Sequence, residues 1–152
     1  MKRETSMRGP DANPPIRTVA AVIEDAAGRV LLVRKQGSAI LIQPGGKPEP
    51  GEAPQDTLMR ELAEELGVRL APESMVFLGQ FEDVAVHEPG RWVRSQAYIC
   101  RVLGTPAACA EIAELAWVDP ADLGSLRVAP LSATKILPAL LAWRGQQAGA
   151  AS

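Results

Sequence analysis

Residues 45–68 read GGKPEPGEAPQDTLMRELAEELGV, and this stretch decides how the rest of the chain is understood. It opens as a glycine- and proline-rich loop and closes as a helix carrying Glu61, Glu64 and Glu65. At offsets of three and four residues these carboxylates share one side of a helix, about one turn apart. Like charges so placed repel, so the cluster costs stability unless a cation sits among them. A hard divalent metal ion, which prefers oxygen ligands, is the simplest such cation.

Working outward, the helix is expected to start near Ala53–Pro54, because proline is well tolerated in a first turn. Leu58, Met59, Leu62 and Leu66 make its apolar stripe, and Gly67 closes it. Upstream, Arg17–Ile23 is apolar on both parities, as in a strand buried on both faces. Turn residues 25–28 lead to a second strand, Arg29–Lys35, and the pair reads as a hairpin. Ala39–Gln43 is a short third strand. Downstream, Ala71–Ser74 reads as a loop, Met75–Val86 as one or two strands broken near Gly79, and Trp92–Leu103 and Ile112–Val118 as two more. Ala121–Gly124 suggests a helical turn. Leu131–Trp143 has helical spacing, with Ile136, Leu137, Leu140 and Leu141 inward and Pro138 marking a kink or a later helix start. Strands before, between and after two helices predict an α/β fold with a mixed sheet between helices. Residues 1–15 read as a disordered arm, 16–145 as one domain and 146–152 as a loose tail.

Composition narrows the function. A net charge of −2 over 152 residues lacks the basic footprint of a protein that grips nucleic-acid polymers. The longest apolar runs, such as Val19–Ile23, are too short to span a bilayer, so no membrane role is expected. The first fifteen residues lack an apolar core, so no signal peptide is expected either. Cys100 and Cys109 have neither metal-ligand nor redox spacing and read as reduced thiols of a cytoplasmic protein.

With these elements in place, residues 46–68 resemble the signature of the Nudix hydrolases. Gly46 is followed after five residues by Glu52, and after seven more by Arg60-Glu61-Leu62-Ala63-Glu64-Glu65-Leu66-Gly67-Val68, so every fixed position of that signature is filled. The resemblance implies the Nudix α/β/α sandwich and metal-dependent hydrolysis of a nucleoside diphosphate linked to another group. It implies Mg²⁺, with Mn²⁺ as a substitute, held by Glu61, Glu64 and Glu65. A nucleoside triphosphate, including oxidised forms such as 8-oxo-dGTP, is the first substrate class. ADP-sugars, dinucleotide polyphosphates and cofactor diphosphates are the alternatives. A homodimer is a reasonable assembly by the same resemblance. Residue chemistry agrees: a polyanionic substrate entering a glutamate-rich site calls for metal to neutralise both. Gly45, Gly46 and Lys47 offer amide hydrogens and an ammonium to phosphate oxygens. Arg60 is placed to pair with Glu64 and fix its rotamer, while Glu52 either orders the loop or reaches the metal. The general base stays open between Glu61, Glu64 and a glutamate from a later loop.

Outside the signature the plainer readings weigh more. His87 and Glu88 read first as a turn before they read as additions to the site. Arg34 and Lys35 read as charges at a strand end, Phe81, Trp92 and Tyr98 as core, and Glu114 equally as an exposed carboxylate or a base or metal contact. Two other function classes make distinct demands. A non-catalytic ligand sensor would lack one or more signature glutamates, and all four are present. An isoprenoid-diphosphate isomerase would want a cysteine beside an acid at the site, which Cys100 and Cys109 do not clearly supply.

Overall fold

The computed structural model describes residues 13–151. Its elements are β1 (Ile16–Ile23), β2 (Val30–Lys35), β3 (Leu41–Ile42), β4 (Gly45–Gly46), α1 (Pro54–Leu66), β5 (Arg69–Val84), β6 (Trp92–Leu103) and β7 (Ile112–Val118). A π-helical turn, Leu131–Ile136, then runs into α2 (Leu137–Ala151).

Two sheets lie between the helices. One has the order β4-β1-β6-β5, with β1 and β6 parallel and the other neighbours antiparallel. The other is antiparallel, in the order β3-β2-β7. Side-chain alternation along β1 and β2 builds two cores from one pair of strands. Val19, Ala21 and Ile23 of β1, with Leu31 and Val33 of β2, pack under Leu58, Leu62 and Leu66 of α1. Ala20 and Val22, with Val30 and Leu32, pack against Ile136, Leu137 and Leu140 at the other helix. This is the expected α/β/α sandwich, and it explains why these strands are apolar at both parities.

Several expectations are corrected. The β1–β2 hairpin is a turn without a ladder: a single bridge joins Glu24 to Val30, after which the strands enter different sheets. β1 already has β4 on one edge and β6 on the other, so no edge is left for β2. The expected mixed sheet is therefore a mixed sheet beside an antiparallel one. The loop at 71–74 is a bulge within β5, and the break near Gly79 is a second register shift in that strand. Residues 121–124 form a turn, with a bridge from Asp119 to Asp122, rather than a helical turn. Met59 is 41% exposed, and Thr57 takes a buried place on α1. The arm lies outside the described residues up to position 12, and residues 13–15 are extended coil.

The C-terminal helix is also longer than its sequence suggested. The residues expected to form a loose tail continue α2 through Ala151. Pro138 has no N–H to give, and its ring crowds the preceding turn of a helix. The chain answers with a wider turn just ahead of it, in which Leu137 N–H reaches back to the Ser132 carbonyl. Arg144 then ties α2 to the β1–β2 turn, donating to Glu24 Oε2 at 2.6 and 3.0 Å and to the Gly28 carbonyl at 2.8 Å.

Leu62 has no exposed surface, so Leu62→Ala opens a cavity in the α1-side core. Denaturant unfolding should show a loss of about 2–5 kcal/mol, whereas Met59→Ala should cost less than about 1 kcal/mol. Comparable losses at both positions would refute this packing of α1.

Candidate active site

The site begins with two glycines whose lack of a side chain lets β1 and α1 close on the loop. Gly45 lies against β1 at φ +138, where an added Cβ would fall on the Val19 carbonyl oxygen. At Gly46 the same atom would sit inside the Glu61 carboxylate. The chain therefore passes between β1 and α1 as bare backbone, with the amide of Gly45 aimed at the helix.

That amide donates to Glu65 Oε1 at 3.2 Å. Glu65 is only 3% exposed, and burial pushes its carboxyl up to about 8. The neighbouring Glu61 and Glu111 charges push in the same direction, against the Gly45 amide and Lys35. Glu61, half-buried one turn earlier, is also raised, first by burial and then by Glu64, with Arg60 opposing. Glu64 faces solvent. The three signature glutamates thus occupy three environments on one helix.

Arg60 departs from its expected pairing. Instead of reaching Glu64, its guanidinium donates to Glu52 at 2.8 and 3.0 Å and to Glu61 Oε2 at 2.8 Å. A further bond goes to the Lys47 carbonyl at 3.1 Å. Glu52 also accepts from Thr57 Oγ1 and the Glu49 amide, both at 2.9 Å. The Arg60 hydrogen bonds, with these others, hold its carboxyl down at about 2. Glu52 and Arg60 therefore brace the loop against the helix and set the direction of Glu61.

A cavity of about 340 Å³ opens beside this bracket. Gly45, Gly46, Lys47, Glu61 and Glu65 line one part of it, and Lys35, Glu111, His87 and Glu88 another. The turn residues read mainly as structural are therefore at the site: Glu88 pairs with Lys47 Nζ at 3.2 Å, and His87 Nε2 lies 3.0 Å from Ser38 Oγ. Lys35 joins them, 3.7 Å from Glu111. Arg34 and Glu114 instead pair with each other at 2.8 Å across β2 and β7, both away from the cavity lining. Tyr98 stacks on Phe77, and Phe81 packs on the α2-side core. Trp92 pairs with Val84 at the start of β6. Cys100 is buried in the α1-side core, its thiol pushed up to about 12 by that burial, which leaves it inert.

Carboxylate oxygens suit a hard divalent cation, and the raised carboxyls of Glu61 and Glu65 are those that a bound cation would relieve. Among the described residues, however, no three acidic, histidine or cysteine side chains converge closely enough to hold a metal ion. Glu61 is turned to Arg60, Glu65 to the Gly45 amide and Glu64 to solvent. Sequence reasoning missed Gln43, Ser95 and Ser132, all buried and all lining the cavity. No spacing marks them, because three separate segments bring them together.

A glycine loop and an acidic helix at the mouth of a ligand-sized cavity, set in an α/β/α sandwich, define a hydrolase of charged small molecules. The NUDIX domain model matches residues 14–140, and the chain belongs to the Nudix family. It is 27% identical to a MutT-like protein of Streptomyces ambofaciens over 131 residues, 84% of this chain and 80% of that one. It is 30% identical to an uncharacterised Nudix hydrolase of Bacillus subtilis over 104 residues, 67% of this chain and 65% of that one. Among solved structures, the ORF135 protein of E. coli superposes with a TM-score of 0.69 at 31% identity, covering 85% of this chain and 90% of that one. The protein is accordingly a Nudix pyrophosphohydrolase that cleaves a diphosphate linkage. Enzymes of this family generally use divalent metal ions and act on nucleotide-type small molecules. Among the described residues no helix is long and apolar enough to cross a membrane.

Two outcomes follow from this geometry. Glu65 binds its proton more tightly folded than unfolded, so the fold carries the extra proton between the ordinary 4.5 and about 8. Metal-free protein should lose stability as pH rises through that window, and Glu65→Gln should flatten the loss in a melting-temperature series. A pH-independent melting temperature in the wild type would contradict the burial of Glu65. Gly46→Ala should displace the Glu61 carboxylate and lower kcat about tenfold or more while circular dichroism stays native.

Proposed function

We propose that this protein hydrolyses a nucleoside triphosphate to the monophosphate and pyrophosphate, using Mg²⁺ or, in its place, Mn²⁺. The observation that carries this reading is one cavity joining the acidic helix and glycine loop to an apolar-walled recess. Its volume of about 340 Å³ stands near the lower end of the range for small-ligand sites. That suits one base and favours a mononucleotide over a dinucleotide polyphosphate.

Glu61, Glu64 and Glu65 would hold the metal once Glu61 turns from Arg60, Glu65 from the Gly45 amide and Glu64 inward from solvent. When bound, the cation neutralises phosphate charge and polarises both the phosphorus centre and the attacking water. The rest belongs to side chains and backbone of this chain. Gly46 and Lys47 receive phosphate oxygens through amide and ammonium hydrogens, and the Gly45 amide steadies Glu65. Arg60, itself held by Glu52, sets the direction of Glu61 beside the cavity. Proton removal from the attacking water falls to Glu61, Glu64 or Glu88, the last being the later-loop glutamate that lines the cavity. We propose a cytoplasmic enzyme acting on the nucleotide pool, with a homodimer as its assembly.

The test is a panel of nucleoside triphosphates, including 8-oxo-dGTP, together with ADP-ribose and a dinucleotide polyphosphate, each with and without Mg²⁺. Pyrophosphate and phosphate are measured separately. Turnover should require the metal and release pyrophosphate with the monophosphate. Glu64→Gln should lower the rate roughly a hundredfold or more, and near-wild-type activity would remove Glu64 from the site. Exclusive turnover of ADP-ribose would replace the triphosphate reading with the ADP-sugar one.

A further inference from the structure

The inner part of the cavity carries hydrogen-bonding groups that the fold does not use. Ser95 on β6 has no exposed surface, and its Oγ has no hydrogen-bond partner in the protein among the described residues. Gln43 is 8% exposed; its Nε2 donates to the Ala21 carbonyl at 2.9 Å, while its Oε1 is likewise unpartnered. Both side chains line the cavity, Gln43 from the segment beside one edge of β1 and Ser95 from the strand on its other edge. A buried polar atom left unmatched costs on the order of 1–3 kcal/mol, so two among the residues of one cavity lining mark a place built for a polar ligand. Ile16, Val93 and Leu131 give the same lining apolar surface, and Thr18 and Ser132 add further hydroxyls. Apolar surface with a few directed polar groups suits a heterocycle better than a hydroxyl-rich sugar.

We propose that Gln43 and Ser95 form the base-reading end of the substrate cavity, deepening the nucleotide-hydrolase reading on which the proposal rests. The Ala21 carbonyl commits the Gln43 amide nitrogen and leaves Oε1 as an acceptor. The base must therefore present an N–H or amino hydrogen to Gln43. Ser95 Oγ can donate or accept, and it pairs with a second atom on the same edge. The two residues are assigned to specificity, and cleavage of the anhydride is left to the acidic helix and glycine loop.

Ser95→Ala is the decisive variant, because the hydroxyl it removes has no protein partner. The melting temperature should hold steady or rise. KM for the preferred nucleoside triphosphate should increase about five- to thirtyfold, with kcat within about twofold. KM for ribose 5-triphosphate, which has no base, should not move. Gln43→Met, similar in shape, should change the order of preference among ATP, GTP, CTP and UTP. Unchanged KM values for all four nucleotides in Ser95→Ala, or an equal rise with ribose 5-triphosphate, would overturn the proposal. Calorimetric titration with AMP, GMP, CMP and UMP separates it from the catalytic reading. Monophosphate binding that weakens in Ser95→Ala supports the base site even if no triphosphate is turned over. Binding that is absent in the wild type, or unaffected in Ser95→Ala, removes the site whatever the catalytic result.

Discussion

The close passage of Gly45–Gly46 between β1 and α1 is the constraint on which the rest of the structure depends. β1 fixes the loop by register, pairing Val19 with Gly46 and Ala20 with Gly45. The absence of side chains lets two carboxylates of α1 stand directly against backbone. A larger residue at Gly45 would push the loop off β1, and one at Gly46 would displace the Glu61 carboxylate, so the acidic groups would lose the surface that orients them.

The bracket of Glu52, Arg60 and Glu61 solves the electrostatic problem posed by that closeness. Acidic groups concentrated near a buried neighbour would protonate or swing outward if nothing opposed them. Arg60 takes up one carboxylate entirely and another in part, and its bond to the Lys47 carbonyl fastens the loop as well. Among the described residues Glu65 has no such cation at hydrogen-bonding distance, and the Gly45 amide with the Lys35 charge does not offset its burial, which is why its proton is held so firmly. The same helix thus presents one carboxyl to solvent, one held by Arg60, and one buried and largely protonated near neutral pH.

Much of this was legible in the sequence because it is local or periodic. The Pro54 start and Gly67 stop of α1 follow from backbone chemistry, and its cap glycine adopts the left-handed conformation that role requires. The double-sided burial of β1 and β2 follows from their unbroken apolar runs. What stayed hidden depends on partners distant along the chain. The turn after β1 reads like any hairpin until β4 and β6 are known to occupy both edges of β1. Arg60 sits one turn from Glu64 and eight residues from Glu52, and only the folded loop reveals that the longer separation is the shorter distance. Ser95 lies between Arg94 and Gln96 with nothing in its neighbourhood to mark it. The helical continuation beyond residue 145 was hidden by Gly145 and Gly149, which disfavour helix and outweighed the favourable Ala148, Ala150 and Ala151 in the reading.

The divergence of β1 and β2 into separate sheets has a mechanical consequence. Between the two ladders runs a seam, bridged at one end by Glu24 and Val30, and the cavity draws its lining from both sides of it. A molecule seated there would work as a keystone, touching strands that share few backbone bonds and loading them against one another. Ligand binding therefore adds to the cohesion of the sandwich itself, and the half-sheets gain rigidity from their cargo.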